Sequence, residues 1–364
     1  MKKLSLNLSL ICIGRTLSAQ PGIISTREAN EHEGKMLTME ETILSRELSP
    51  ANIHTMWDDD GTLLMYKDGK FKTYDIATGT YSDYTGKNKL SMQAVSKNGS
   101  LYVIYANGAE RLVAERENDQ ITYGEYVSRN EFGIDGGTFW APNNRKVAFY
   151  RKDESKVTSF PLLDITTRTG SLKEIKYPMA GMDSENVQLG IFDVVTGETV
   201  YAAVDDFGYD RYLTNITWSP DGDMIYIQVL DRSQKHLKLN AYSAQTGDFI
   251  KTVLTEDNEK YVEPFDPLYF IKDQNFFIYR TANRDGYRNL YLCDNDGNIR
   301  RLTSVDADVK YVGNDGRYVY YTSAEVSPVE NHLFRIELKN LKKGVAKASF
   351  GKPQRLTFAE GWHE

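Results

Sequence analysis

Cysteine is almost absent from this sequence. Two occur in 364 residues, Cys12 and Cys293, which excludes a disulfide framework. Also missing is any run of eighteen apolar residues, so no segment is fit to cross a bilayer as a helix. Positive charge is in deficit: 44 Lys+Arg against 51 Asp+Glu leave a net charge of -7. A nucleic-acid binder needs a basic surface to displace counterions, so that class falls away. His32, His54, His236, His332 and His363 stand at no metal-ligand spacing, and no cysteine cluster joins them. Neither a metal nor a cofactor is expected. The Asp58-Asp59-Asp60 run meets Gly61 at once and has no closing glutamate, so it reads as a turn and not a calcium loop.

Hydrophobic residues at 40% and charged residues at 26% fit a globular chain. The aromatic load, 24 Tyr and 15 Phe, favours strands. Residues 1–20 have the form of a secretory signal: Lys2-Lys3, an apolar stretch, then Leu17-Ser18-Ala19. A periplasmic or secreted location follows as an expectation. Bulky Ile11 argues against lipidation of Cys12, and Cys293 is then a lone thiol, expected to act as a small buried hydrophobe. Residues 21–50 form an amino-terminal segment in which Thr38-Met39-Glu40-Glu41 has capping-box spacing for a short helix.

From residue 51 to 364 the chain is a series of short aromatic and β-branched runs between turns. Asp60-Gly61, Asn98-Gly99, Asn143-Asn144, Asp221-Gly222 and Asp315-Gly316 each precede such a run, and Asp273-Gln274 is a further candidate. All can take the positive φ that a tight hairpin requires. A second class lies between them: Thr78-Gly79, Thr196-Gly197, Thr246-Gly247 and Asp296-Gly297. Two alternating hairpin classes define a four-stranded unit repeated around an axis, a β-propeller. A β-sandwich is the structural alternative. A disguised unit is expected near residues 155–200. Residues 115–135, rich in charge and glycine, read as an insertion between blades, where binding residues tend to sit.

Val127-Ser128-Arg129-Asn130-Glu131-Phe132-Gly133-Ile134, then Gly137-Thr138-Phe139-Trp140-Ala141-Pro142, resembles the propeller half of the dipeptidyl peptidase IV family. So do Tyr177-Pro178-Met179-Ala180-Gly181 and Arg284-Asp285-Gly286-Tyr287-Arg288-Asn289-Leu290-Tyr291-Leu292. The bacterial prolyl tripeptidyl branch looks closest. The resemblance implies an eight-bladed propeller over an α/β-hydrolase domain that removes di- or tripeptides after proline. This chain stops at Glu364, soon after Gln354-Arg355-Leu356-Thr357, where the last blade is expected to begin. About seven blades are therefore expected, with the closing one missing. No Gly-x-Ser-x-Gly elbow for a nucleophilic serine is found. The chain is expected to carry no catalytic residue and to be inactive alone. The family's substrate-contacting arginine cannot be placed near the short stretch from Tyr81 to Gly99.

What the resemblance implies for the site is an anchor for a peptide's free amino group. That group has a reference pKa near 8 and is mostly ammonium at neutral pH. A fixed carboxylate binds it through charge-assisted hydrogen bonds. Glu131 is the candidate anchor. Asn130, standing where dipeptidyl peptidases carry the first carboxylate of a Glu-Glu pair, is a candidate second contact. Arg129 is a candidate support, pairing with Glu131. The plain alternative for all three is an exposed turn. Asp153 and Glu154 are read as structural at a blade junction. Expected partners are peptide substrates with a free amino terminus, the hydrolase domain, and a second copy in a homodimer. Two other functions compete: a free-standing propeller that binds a protein or glycan, and a small propeller glycosidase working through paired carboxylates.

Overall fold

A computed structural model describes residues 55–57, 63–67, 70–75, 78–84, 92–105 and 107–363. The leader-like start, the capping box at Thr38, Cys12, His32, His54 and the Asp58-Asp59-Asp60 run lie outside these residues. The chain divides into two compact units, residues 1–87 and 88–364. In the first unit Thr55–Trp57, Leu63–Lys67, Lys70–Asp75 and Thr80–Asp83 form one four-stranded antiparallel sheet in chain order.

The second unit holds six further sheets among the described residues, five of them propeller blades and one a two-stranded hairpin, so six blades are described in all, not seven. The fourth blade shows the pattern in full. Arg211–Trp218, Met224–Asp231, His236–Ser243 and Phe249–Asp257 pair in sequence order. The fifth repeats it with Tyr269–Phe270, Phe277–Thr281, Asn289–Cys293 and Ile299–Arg301. The sixth uses Val309–Asn314, Tyr318–Ser323 and His332–Lys339, with Ser349–Phe350 and Gln354–Arg355 sharing the fourth position.

The turn dipeptides explain this regularity. Asn144, Gly222, Asp273 and Gly316 all have positive φ and link first strand to second; Gly197, Gly247 and Gly297 do the same between third and fourth. In an up-and-down meander both classes fall on one face of the ring. The second-to-third links and the crossings between blades fall on the other.

Two expectations need correction. The 155–200 unit is not a blade. Lys146–Asp153 pairs along its whole length with Asn186–Asp193, so both belong to the third blade. The intervening residues leave it as a separate hairpin, Ser159–Asp164 with Ser171–Lys176. Leu163, Ile165 and Leu172 are exposed on it, so its apolar residues do not mark a core strand. The second case is Asn98-Gly99. The second blade has Gln93–Lys97, Ser100–Ile104 and Glu110–Ala114, with no strand before Gln93 among the described residues. Arg111 and Tyr105, beside its other turn, reach the carbonyls of Val194 and Thr196 at the third-to-fourth turn of the third blade. Asn98-Gly99 therefore lies on the opposite face and joins second strand to third.

Blades are glued by apolar side chains from facing sheets. Ile191, Leu189 and Tyr150 meet Leu213, Ile225 and Ile227 between the third and fourth blades. Leu239, Tyr226, Tyr279 and Tyr291 fill the next layer together with Cys293. Cys293 is 1% exposed, and burial pushes its thiol pKa up, away from reactivity. It is the small buried hydrophobe expected.

Candidate functional site

The third blade is where the repeat is broken. Its first strand position is filled in two pieces. Ile121–Tyr123 pairs with one half of Lys146–Asp153, and Thr138–Trp140 pairs with the other. Residues 124–137 leave between them as a closed loop. Tyr150 holds both ends: its carbonyl accepts Gly124 N–H at 2.8 Å and its N–H donates to Gly137 O at 3.0 Å. In a propeller the first strand is the innermost. The loop therefore starts from the axial side of the blade, midway along the strand opposite Tyr150.

The insertion expected between blades at residues 115–135 lies instead within the third blade, at residues 124–137 between the two halves of its first strand, and it is not a solvated excursion. Val127 and Ile134 sink into the layer between the third and fourth blades. Phe132, 7% exposed, packs with its ring tilted against Tyr212, centroids 4.6 Å apart, in a small cluster with Leu230, Leu237 and Val262. Asn215, at the bulge in the fourth blade's first strand, donates from Nδ2 to the carbonyls of Phe132 and Pro264. One amide thus ties the loop to the fourth blade and to the crossing that enters the fifth. Gly133 has φ +74, and a Cβ there would stand 2.4 Å from Phe265 O.

Between these pins the backbone is left-handed. Ser128, Arg129, Asn130 and Phe132 have φ of 50, 56, 62 and 57. Each non-glycine residue in that region costs about 1–2 kcal/mol, and such runs persist only where the surroundings over-determine them. Glu131 alone is extended, with φ -77 and ψ 168. Its carboxylate is exposed, and among the described residues it accepts no hydrogen bond and joins no ion pair. It is within electrostatic reach of Tyr212, whose phenol pKa burial raises, nearby Arg232 lowers and Glu131 raises further.

Arg129, Asn130 and Glu131 are all exposed at the crest of this loop. Arg129 does not pair with Glu131. Its guanidinium lies 4.3 Å from the centroid of the Tyr177 ring, because the left-handed turn sends consecutive side chains in different directions. The two segments that carried the family resemblance, around Glu131 and around Tyr177, therefore meet in space.

Sequence reasoning missed what lies beneath. Glu185 follows the Tyr177 segment and is 7% exposed. Its Oε1 accepts Ser128 N–H at 2.6 Å, and its Oε2 accepts the Ser184 hydroxyl at 3.2 Å. Nothing in the local pattern separates Glu185 from any other glutamate ahead of a strand, since its partner is 57 residues away. Glu154 is close by. Burial raises its carboxyl pKa, Lys152 opposes this, and Glu185 and Glu125 reinforce it. Lys152 reaches Glu125 at 3.6 Å and Glu154 at 3.7 Å. Asp153 accepts Ser155 N–H at 2.9 Å. Asp153 and Glu154 thus cap a strand end beside the loop.

Elsewhere, His332 is fully buried against Glu330 at 2.7 Å and near the Arg355 guanidinium, and His236 meets Asp257 at 2.6 Å. Among the described residues no three His, Cys, Asp or Glu side chains group to hold a metal. No described helix is long and apolar enough to cross a membrane.

Comparison with known proteins gives a consistent picture. The model of the dipeptidyl peptidase IV N-terminal region matches residues 55–364. Probable dipeptidyl-aminopeptidase B of Pyrenophora teres f. teres is 23% identical over 92% of this chain and 42% of its own length. Dipeptidyl-aminopeptidase B of Aspergillus niger is 25% identical over 75% of this chain and 36% of its own. A crystal structure assigned to a dipeptidyl aminopeptidase IV of Bacteroides ovatus is 33% identical, with a TM-score of 0.61 over 79% of this chain and 44% of that one. Porphyromonas gingivalis dipeptidyl peptidase 4, 22% identical with a TM-score of 0.65, shares the fold. The chain spans less than half the length of these relatives.

Proposed function

Because the chain belongs to the dipeptidyl peptidase IV N-terminal-region family, we propose that it is the substrate-recognising propeller of a serine-type exopeptidase. In this proposal it gates access and grips the free amino terminus of a peptide cut after proline, with release of a di- or tripeptide. The bond-breaking step is assigned to an α/β-hydrolase domain not contained in these 364 residues.

The observation that carries the reading is Glu131. It is an exposed carboxylate without a partner among the described residues, at the crest of a loop whose backbone is fixed on both sides. An ammonium ion has three N–H donors and full positive charge near neutral pH. A carboxylate already held in place binds it without the entropy cost of ordering a mobile loop. A fixed anchor also sets how many residues lie between the amino terminus and the cut. Asn130 supplies a neutral acceptor beside it, where a second carboxylate would bind the ammonium more strongly. Arg129 serves by stacking on Tyr177 and leaving Glu131 uncompensated.

The test is binding of two Xaa-Pro peptides to the purified chain, one with a free amino terminus and one acetylated. The free peptide is expected to bind more tightly, and Glu131→Gln to remove about tenfold of that preference, the size of one charge-assisted contact. An equal loss on both peptides ends the anchor role.

A further inference from the structure

We infer that Glu185 is the positioning residue of the amine site: a buried second carboxylate that holds the left-handed turn and stands in for the one Asn130 lacks. The inference rests on the reading of Glu131 as the anchor and says how that anchor is kept in place.

Glu185 is unusual in its environment. At 7% exposure it has given up most of its hydration. Burying a carboxylate is costly unless a cation or several hydrogen bonds offset the loss. No Lys or Arg forms an ion pair with it; Lys152, the cation at this end of the strand, is shared by Glu125 and Glu154 instead. What Glu185 has is one backbone N–H, from Ser128, and one hydroxyl, from Ser184. A glutamine could make the Ser128 bond without burying a charge. The negative charge is thus not needed to satisfy the backbone, and its use lies in what it does to the neighbourhood.

Two effects follow from its position. The first is geometric. Ser128 is the first of three consecutive left-handed residues, and its N–H is fixed by a short charge-assisted bond. Phe132 and Gly133 are fixed on the far side by Asn215 and by contact with Phe265. Glu131 lies between these clamps and inherits its direction from both. The second effect is electrostatic. A negative charge behind the turn, poorly screened because it is buried, favours a cation at the crest. Asn130 cannot supply that charge. Here it comes from the residue just ahead of Asn186–Asp193, through the amide of Ser128.

The experiment compares the full chain with Glu185→Gln, Glu185→Ala and Glu131→Gln. The readouts are amide exchange over residues 127–133 and the ratio of affinities for the free and acetylated Xaa-Pro peptides. Glu185→Gln is expected to keep the Ser128 amide protected while lowering the ratio about threefold, through lost charge alone. Glu185→Ala is expected to speed exchange over this segment and lower the ratio about tenfold, since both the bond and the charge are gone. An exchange pattern in Glu185→Ala identical to the parent overturns the inference. So does a loss of affinity shared equally by both peptides, which marks a purely structural role. If Glu131→Gln keeps the full preference, the anchor reading fails, and the exchange data still decide whether Glu185 holds the turn.

Discussion

Gly137 constrains the site more tightly than its size suggests. A Cβ built there would stand 2.3 Å from both the carbonyl carbon and the oxygen of Glu125. Its own carbonyl closes the loop by accepting Tyr150 N–H. The neighbour is backbone, so no side chain can swing aside. Gly137→Ala is expected to cost at least about 2 kcal/mol, as forced overpacking does, measured as a lowered midpoint in urea. A change below about 0.5 kcal/mol, typical of surface sites, would show that the loop base yields. At this scale the sequence is legible where a residue must be one type. Gly133 and Gly137 stand in the segment that carried the family resemblance, and the structure gives their physical reason. The presence of a departing loop around Glu131 was also legible, from the break in the strand rhythm. Glu185 was not, because its meaning depends on a backbone amide brought to it by the pairing of other strands.

Among elements, the turns were the most readable and the strand count the least. A positive φ in a tight turn favours glycine, asparagine or aspartate, so the dipeptides at 143–144, 221–222, 296–297 and 315–316 announce themselves. They do not announce which two strands they join. Asn98-Gly99 has the same chemistry as the first-to-second turns and sits on the opposite face. The hairpin Ser159–Asp164 with Ser171–Lys176 has leucines in a strand-like run yet buries none of them, which composition cannot reveal.

A turn also supplies a pH effect. Burial would raise the Asp231 carboxyl, but hydrogen bonds from the Ser233 hydroxyl and from the N–H groups of His236, Lys235 and Ser233 outweigh it and hold the pKa below the usual value. A lowered folded-state pKa gives stability that is present above the unfolded value, near 4. That stability is lost as pH falls through the folded value. Asp231→Ala is therefore expected to cost about 1–3 kcal/mol at pH 7, and the difference from the parent should shrink below pH 4. A constant difference across that range would contradict the assignment.

For the molecule as a whole, burial patterns rank the blades of the 88–364 unit. In the fourth, Met224–Asp231 is buried at six consecutive positions. In the fifth, all of Asn289–Cys293 is buried. These strands are covered on both faces. In the sixth, Tyr318–Ser323 alternates strictly between half-buried and buried, and Ser100–Ile104 in the second does the same. Those strands have one fully covered face. Local stability follows buried contact. Amide exchange is expected to be slowest in Met224–Asp231 and His236–Ser243, and about tenfold or more faster in Tyr318–Ser323 and Ser100–Ile104. Uniform protection across these four strands would show that the unit opens only as one body. The same contrast was partly visible in sequence: Met-Ile-Tyr-Ile-Gln-Val-Leu-Asp is nearly continuous in apolar character, as a strand between two layers must be.

Tyr150 carries one more implication. Both ends of the loop that bears Glu131 hang from the main chain of this single residue, in the second strand and not the first. The strand ladder on either side is complete without the loop's interior. Only the exposed crest, Arg129 to Glu131, is therefore free to change its chemistry while the neighbouring registers stay as they are. Val127, Phe132 and Ile134 are bound to the fourth blade by their packing, so a different cargo would be met by new side chains on a tip of three residues, set on a base that stays the same.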